Sequence, residues 1–516
     1  MSAERTGWTV AVVTFGVLVV YPLGRLVSEI LGTSPMLEDL GRPLWASLWT
    51  SAAAAAAATV GGTAGALLTE RLTVSGSSAL RIGFVGTLVI PPFVSAVGWQ
   101  AAYGPSGLFA DTAWVESPAG VVAVIAVNAL PIAFLVVSAS LAGGGERRLV
   151  SAARASGASP AVAFRTVTLR LLRPAVAGSA ALTFVIGMNS FGVPMILGTP
   201  AGFRTMTTDI YVGLRRAFTI ESFERALMLA LLLVVTTSLV ASTARPRQAL
   251  APPARTRAAP SVSRPPWAPW AAAVAWLYLT ATLVLPTLAV AARAFTSGVG
   301  LPPTPENLTL SHLAEAWSGS SLDALVRSTA LAIAAATGAL LLGVLSSWLG
   351  RGRPRLPSLA VTLGFAVPGS ALAIAMLLGY RSVASGAALI LLTYLAKFWA
   401  LGHHPIDGAV DRIGSDVWRS ARASGAGPVV AVRTVVAPLM RPALVTAWLT
   451  VFFFGIHELT MSSLLHGPGS ATLAVVVLDR QQTGDPSATA ALALILGAVV
   501  ALVAVPLALG RRRRVA

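Results

Sequence analysis

Ser151-Ala-Ala-Arg-Ala-Ser-Gly-Ala-Ser-Pro160 returns 268 positions later as Arg419-Ser-Ala-Arg-Ala-Ser-Gly-Ala-Gly-Pro428. The register persists beyond it, setting Arg165-Thr166-Val167 against Arg433-Thr434-Val435 and Arg173-Pro174 against Arg441-Pro442. One offset held over that length marks an internal duplication, and a repeat constrains the fold before any local feature does. Each copy reads as a short helix, a sharp turn and a second helix. Gly157 and Gly425 stand where the first helix ends, a position that favours the left-handed conformation glycine adopts without a Cβ clash. Ser159-Pro160 then offers an N-cap followed by proline at the first helical position, and Gly427-Pro428 repeats this with a weaker cap. Ala152, Ala153 and Ala155, matched by Ser420, Ala421 and Ala423, leave a thin face that the groove of another protein can approach closely.

Working outward, the chain around both copies is built for lipid. Of 516 residues, 55% are apolar and 11% charged, against roughly 25% charged in soluble domains. Ten charge-free windows run from Thr6–Gly24 to Pro486–Gly510, among them Ile82–Ala110, Pro174–Phe203 and Leu356–Tyr380. Each reaches the ~18 to 20 residues that a spanning helix needs. Two more spans, Ser382–Gly402 and Pro442–Leu465, are interrupted by Lys397 and by His457-Glu458. The expectation is an all-α membrane protein of twelve transmembrane helices in two parallel six-helix halves, with both copies of the repeat between the fourth and fifth spans. The first window is expected to be a spanning helix, because a cleaved leader would not head eleven more such segments. Pro91-Pro92 and Pro368 lie inside the third and ninth windows, where they predict kinks.

Charge and composition set the organisation. A net charge of +17 does not imply nucleic acid here, because the arginines segregate by loop. With the N-terminus inside, 26 of 36 fall on the inner side, which predicts both termini in the cytoplasm of a multi-pass cell-membrane protein. Lys397, the only lysine, is expected to snorkel from the tenth span to the headgroups. Residues 244–267, rich in Pro, Ala and Arg, read as a cytoplasmic linker. The first half is then 1–243 with its repeat segment at about 146–174, and the second is 268–516 with its segment at about 411–442. No cysteine is present, so disulfides and thiolate metal sites are excluded.

The pattern Ala-Ala (Ser-Ala in the second copy), three residues, Gly-Ala, then about fifteen residues to Arg-Pro resembles the "EAA loop" of binding-protein-dependent ABC importer permeases of the type I, maltose-permease-like fold. The resemblance implies that each loop is a coupling helix docking into an ATPase subunit, carried by Ala152, Ala153, Gly157 and Ala158 and by Ala421, Gly425 and Ala426. The family's leading glutamate is Ser151 in one copy and Arg419 in the other, and the first copy has Arg170 where the second keeps Pro438. Fused chains of this kind look most like iron(III) and thiamine importer permeases. The implied partners are two copies of a cytoplasmic ABC ATPase, an extracytoplasmic substrate-binding protein and the lipid bilayer. The implied substrate is iron(III), or second, thiamine.

His457-Glu458-Leu459-Thr460-Met461-Ser462 resembles the "ELxAT" stretch of those permeases, and its partner at the same offset is Asn189-Ser190-Phe191-Gly192-Val193-Pro194. An ionisable pair inside a span is costly, so Asn189, Ser190, His457 and Glu458 are candidates for the substrate path. The other reading places Glu458 at the outer membrane face, solvated or paired with an arginine.

Two rival classes are weaker. A major-facilitator secondary transporter shares the parallel halves, but Thr69–Ser78 lacks its charged signature and the spans have few carboxylates to couple ions. A membrane enzyme would need clustered catalytic groups, and the main polar cluster is His403-His404 with Asp407 and Asp411. Adjacent histidines on a helix point to different faces, so a loop cluster is expected rather than a metal site. A phosphate-binding loop needs a lysine behind a glycine run, and Leu395-Ala-Lys397 has none before it. No catalytic residue, cofactor or metal is therefore expected, and the ATPase is expected to be a separate polypeptide.

Overall fold

The computed structural model describes residues 12–32, 40–72, 74–110, 112–142, 145–215, 219–243, 265–298, 300–349 and 364–512. Most of the 244–267 linker lies outside them, as does the start of the window that ends at Tyr380. The described residues are helical, with one isolated antiparallel bridge between Thr296 and Leu308. Among the described residues, ten helices are long and apolar enough to cross a membrane, from Val12–Leu31 to Pro486–Val503.

Prolines interrupt two of the windows, whereas Pro131 and Pro405 lie inside continuous helices. The Ile82–Ala110 window forms two helices, Ser77–Val89 and Pro92–Tyr103, set at 105° to one another. Proline supplies no N–H and clashes with the preceding turn, and Pro91 accordingly takes an extended ψ of 139°. Pro368 does the same, with ψ 141°, ahead of the short apolar helix Gly369–Tyr380. These prolines therefore break their helices instead of kinking them. Among the described residues there are ten single spans, eleven with the bent pair taken as one, and the ninth window, which begins outside those residues, contributes the short helix Gly369–Tyr380.

Two compact units divide the chain, and they differ from the two halves of the sequence repeat. One contains Leu37–Asp209 and Val235–His312; the other contains the described parts of Met1–Met36, Ile210–Val234 and Leu313–Ala516. Each half of the sequence thus lends its first helix to the unit holding most of the other half. Tyr21, on the first helix, approaches Gly379 O with its hydroxyl at 3.4 Å, while the Tyr380 hydroxyl donates to Val17 O at 2.5 Å. The reciprocal contact has the Tyr103 hydroxyl donating to Ala281 O at 2.7 Å.

Within each unit the second and fourth spans of one half pack closely. Lipid offers apolar side chains no drive to associate, so close contact depends on small residues at the crossing. A Cβ on Gly62 would sit 2.7 Å from the Ala133 Cβ, and one on Gly343 2.7 Å from the Gly402 carbonyl carbon. Around the first crossing, Leu80, Phe84, Leu130, Phe134, Leu141 and Leu172 form a continuous core.

Candidate functional site

The two repeated segments adopt the same turn. In the first, helix Gly145–Ala155 ends with Gly157 N–H donating to Arg154 O and Ala158 N–H to Ala153 O, each at 3.0 Å. In the second, Gly425 N–H donates to Arg422 O at 3.0 Å and Ala426 N–H to Ala421 O at 3.1 Å. This is the pairing in which a left-handed residue just past a helix satisfies its last carbonyls. Gly157 has φ +88° and Gly425 +80°, as their placement in the sequence predicts. Ser159 caps the next helix by accepting from Val162 N–H at 3.3 Å. Gly427 has no side chain for that task, and only its carbonyl accepts, from Ala431 N–H at 2.9 Å.

Exposure repeats as well. Ala152, Gly157, Ser420 and Gly425 are exposed, while Ala153 and Ala158 are half-buried, as are Ala421 and Ala426. A Cβ on either turn glycine would meet no atom within 4 Å. Nothing in the described chain occupies the space against these turns, so each presents a small-residue surface that another protein can approach to backbone distance.

The Asn189 and His457 positions both fall at breaks in a span. Helix Leu169–Met188 stops at Asn189, whose side-chain N–H donates to Val185 O at 2.8 Å and whose Oδ1 is buried without a partner among the described residues. The Ser190 carbonyl accepts from the Thr207 hydroxyl at 2.7 Å. In the other unit, helix Ala437–Ile456 stops at His457, whose Nδ1 likewise has no partner among the described residues. Glu458 stands just before Leu459, the residue that leads into helix Thr460–Leu465. Its carboxylate accepts from Met461 N–H at 2.8 Å, Ser462 N–H at 3.0 Å and the Ser462 hydroxyl at 3.0 Å. A charged acceptor on free N–H groups stabilises such a helix start. The Glu458 carboxylate is part-buried and satisfies the first free N–H groups of that broken helix.

Lys397 also departs from its expectation. It does not snorkel; its ammonium donates to Phe365 O and Val367 O, each at 2.6 Å. The break at Pro368 frees those carbonyls, and inside a membrane such groups need a protein donor. Tyr394, one turn earlier on the same helix and fully buried, lies 2.6 Å from Ser462 Oγ by its hydroxyl. Glu458, Ser462 and Tyr394 thus form one polar chain. Tyr394 and Ser462 escape sequence reasoning because single polar residues in apolar runs have no distinctive spacing. His403 is buried on helix Gly386–Ala423, with Nδ1 2.8 Å from Ser346 Oγ. The His403–Asp411 cluster is therefore helical and not a loop, and no metal-holding group occurs among the described residues.

The family described as binding-protein-dependent transport system inner membrane component matches residues 61–245. A "Probable ABC transporter permease protein" of Sinorhizobium fredii is 26% identical over 493 residues, covering 86% of this chain and 83% of that protein. The chain is a binding-protein-dependent ABC transporter permease. The permease is also 24% identical to an Fe(3+)-transport system permease protein of Haemophilus influenzae, over 84% of this chain and 82% of that one. A permease protein assigned to a 2-aminoethylphosphonate transport system in Salmonella typhimurium is 26% identical over 38% of this chain and 78% of its own. The permease is thus an integral inner-membrane transport component with fused length, associating with an ATPase and a substrate-binding protein as its family does. The major-facilitator alternative falls with that assignment.

Proposed function

We propose that the permease forms a translocation pathway through both halves and is driven by two copies of a cytoplasmic ATPase, one at each repeated segment. Ala152, Ala153, Gly157 and Ala158 serve one copy; Ala421, Gly425 and Ala426 serve the other. The observation that carries this reading is the equivalence of the two turns: the same hydrogen bonds, the same positive φ and the same exposure. Two identical small-residue surfaces suit two identical partners. Both termini are cytoplasmic in this reading, supported by the arginine distribution.

Asn189, Ser190, His457 and Glu458 line the path. The support is that both halves interrupt the same span at the same repeat position, and both interruptions hold a polar atom with no partner among the described residues. Iron(III) is the substrate favoured, because the iron permease matches nearly the full length whereas the phosphonate relative matches one half; thiamine comes second. The test is competition uptake in cells carrying the permease with its ATPase and binding protein, using radiolabelled iron(III), thiamine and 2-aminoethylphosphonate. Saturable uptake of iron(III) alone supports the assignment. Uptake of either other compound, with iron(III) excluded, overturns it.

A further inference from the structure

The first coupling helix is held to the membrane helices by a buried polar network. Glu146, in the first turn of helix Gly145–Ala155, is 7% exposed. Its carboxylate pairs with Arg71, the last residue of span Gly41–Arg71, and accepts from the Thr168 hydroxyl at the base of the fifth span. Arg147, the next residue, donates to Glu70 O at 3.2 Å, and Glu70 pairs with Arg81 at 3.0 Å. Three elements therefore meet at one carboxylate: the coupling helix, the second span and the fifth.

At the repeat offset, Glu146, Arg147 and Thr168 become Gly414, Ser415 and Val436. Val436 is buried in an apolar cluster with Ile406, Met440 and Ala447. The second coupling segment has a different attachment, since it is the end of one helix running from Gly386 to Ala423 and containing the fourth span. In the first half, the sequence between the fourth span and the coupling helix is Gly143-Gly144-Gly145, and glycine costs a helix about 1 kcal/mol per residue relative to alanine. After this stretch, the buried Glu146–Arg71 ion pair attaches the coupling helix to the second span. Removing one partner of such a pair leaves an uncompensated charge, so the contact is either made fully or lost.

We infer that Glu146, with Arg71 and Thr168, is a positioning latch: it makes the first coupling helix move as one body with the second and fifth spans when the ATPase closes. The inference rests on the coupling role proposed above. It gives the two halves unequal levers, one a continuous helix and the other an electrostatic clasp.

Because the permease has no cysteine, spin labels can be placed at Ala64→Cys on the second span and Ser151→Cys on the coupling helix alone, both exposed. Their separation is then read by pulsed electron resonance in the intact permease–ATPase complex, with and without ATP and vanadate. In the otherwise unaltered chain the distance distribution should be narrow and keep its centre on vanadate trapping. With Glu146→Gln it should at least double in width and shift on trapping; Thr168→Val, a milder change, should broaden it less. The charge reversal Arg71→Glu with Glu146→Arg should restore the narrow distribution, which a general loss of packing would not. An unchanged distribution in Glu146→Gln, or no recovery in the reversal at normal abundance, overturns the latch. Failure of the proposed coupling role is seen separately, as an unaltered permease that retains no ATPase.

Discussion

The two coupling segments share a turn but differ in what stands behind it. Ser156-Gly157-Ala158 and Ser424-Gly425-Ala426 close their helices with the same bonds. Behind the first stands a cluster of charged side chains reaching Arg71 and Thr168; behind the second stands a single helix of 38 residues. In the function proposed above the turn is the surface that the ATPase meets, and two equal partners would keep it equal. The attachment is met only by the permease's own spans, and one duplicated sequence supports two solutions there. The lesson concerns where a duplicated fold can diverge: the shape offered outward is constrained by the partner, and the internal transmission only by having to transmit.

The harshest way to break the symmetry of the turns is to deny them their left-handed residue. A branched side chain at φ near +80° carries a penalty of at least about 1–2 kcal/mol. No neighbouring atom opposes it, so the turn reorients and the spans stay folded. Gly157→Val with Gly425→Val should abolish uptake and ATPase co-purification at normal membrane abundance. Each single variant should retain at most part of the uptake, and full uptake by the double variant would make the segments passive connectors.

The broken spans offer an intermediate test, since the halves differ there too: Asn189-Ser190 is neutral and His457-Glu458 is ionisable. Glu458→Gln keeps the shape of the cap but loses its charge, weakening bonds worth on the order of 2 kcal/mol each when charge-assisted. Uptake kinetics should change severalfold while ATPase co-purification stays intact. The matching Ser190→Ala should change uptake less. If both leave uptake unchanged, these positions serve only to end helices.

What the sequence disclosed follows from the range of the interactions. The glycine turns and the Ser159 cap depend on residues within one or two turns, and each matches the structure. The prolines at 91 and 368 were visible, but not that they break helices, because the outcome depends on whether donors exist for the freed carbonyls. Lys397 supplies two such bonds from 30 and 32 residues away, and neither is written in any local pattern. The exchange of first helices between units, and the pairing of Glu146 with Arg71, are likewise contacts between distant segments. Glu146 did leave one trace, as a lone carboxylate in a loop otherwise charged by arginine.

The smallest effect belongs to the cap that distinguishes the two turns. Ser159→Ala should destabilise the first turn by about 1 kcal/mol, read as faster amide hydrogen exchange at Val162 with uptake nearly unchanged. Gly427→Ser should slow exchange in the second copy by the equivalent of a few tenths of a kcal/mol. If neither moves, the turns are held by their spans and not by local bonding.

The central claim is that both repeated segments receive the same ATPase. Ala152→Cys and Ser420→Cys occupy equivalent exposed positions in a chain otherwise free of cysteine. Each can be labelled with a photoreactive maleimide in the assembled complex, irradiated, and its adducts identified by peptide mass. The account predicts that both positions capture the same ATPase polypeptide, and that a chain carrying both captures two copies. An ATPase adduct at only one position, or none at either in a complex that still hydrolyses ATP, would contradict it.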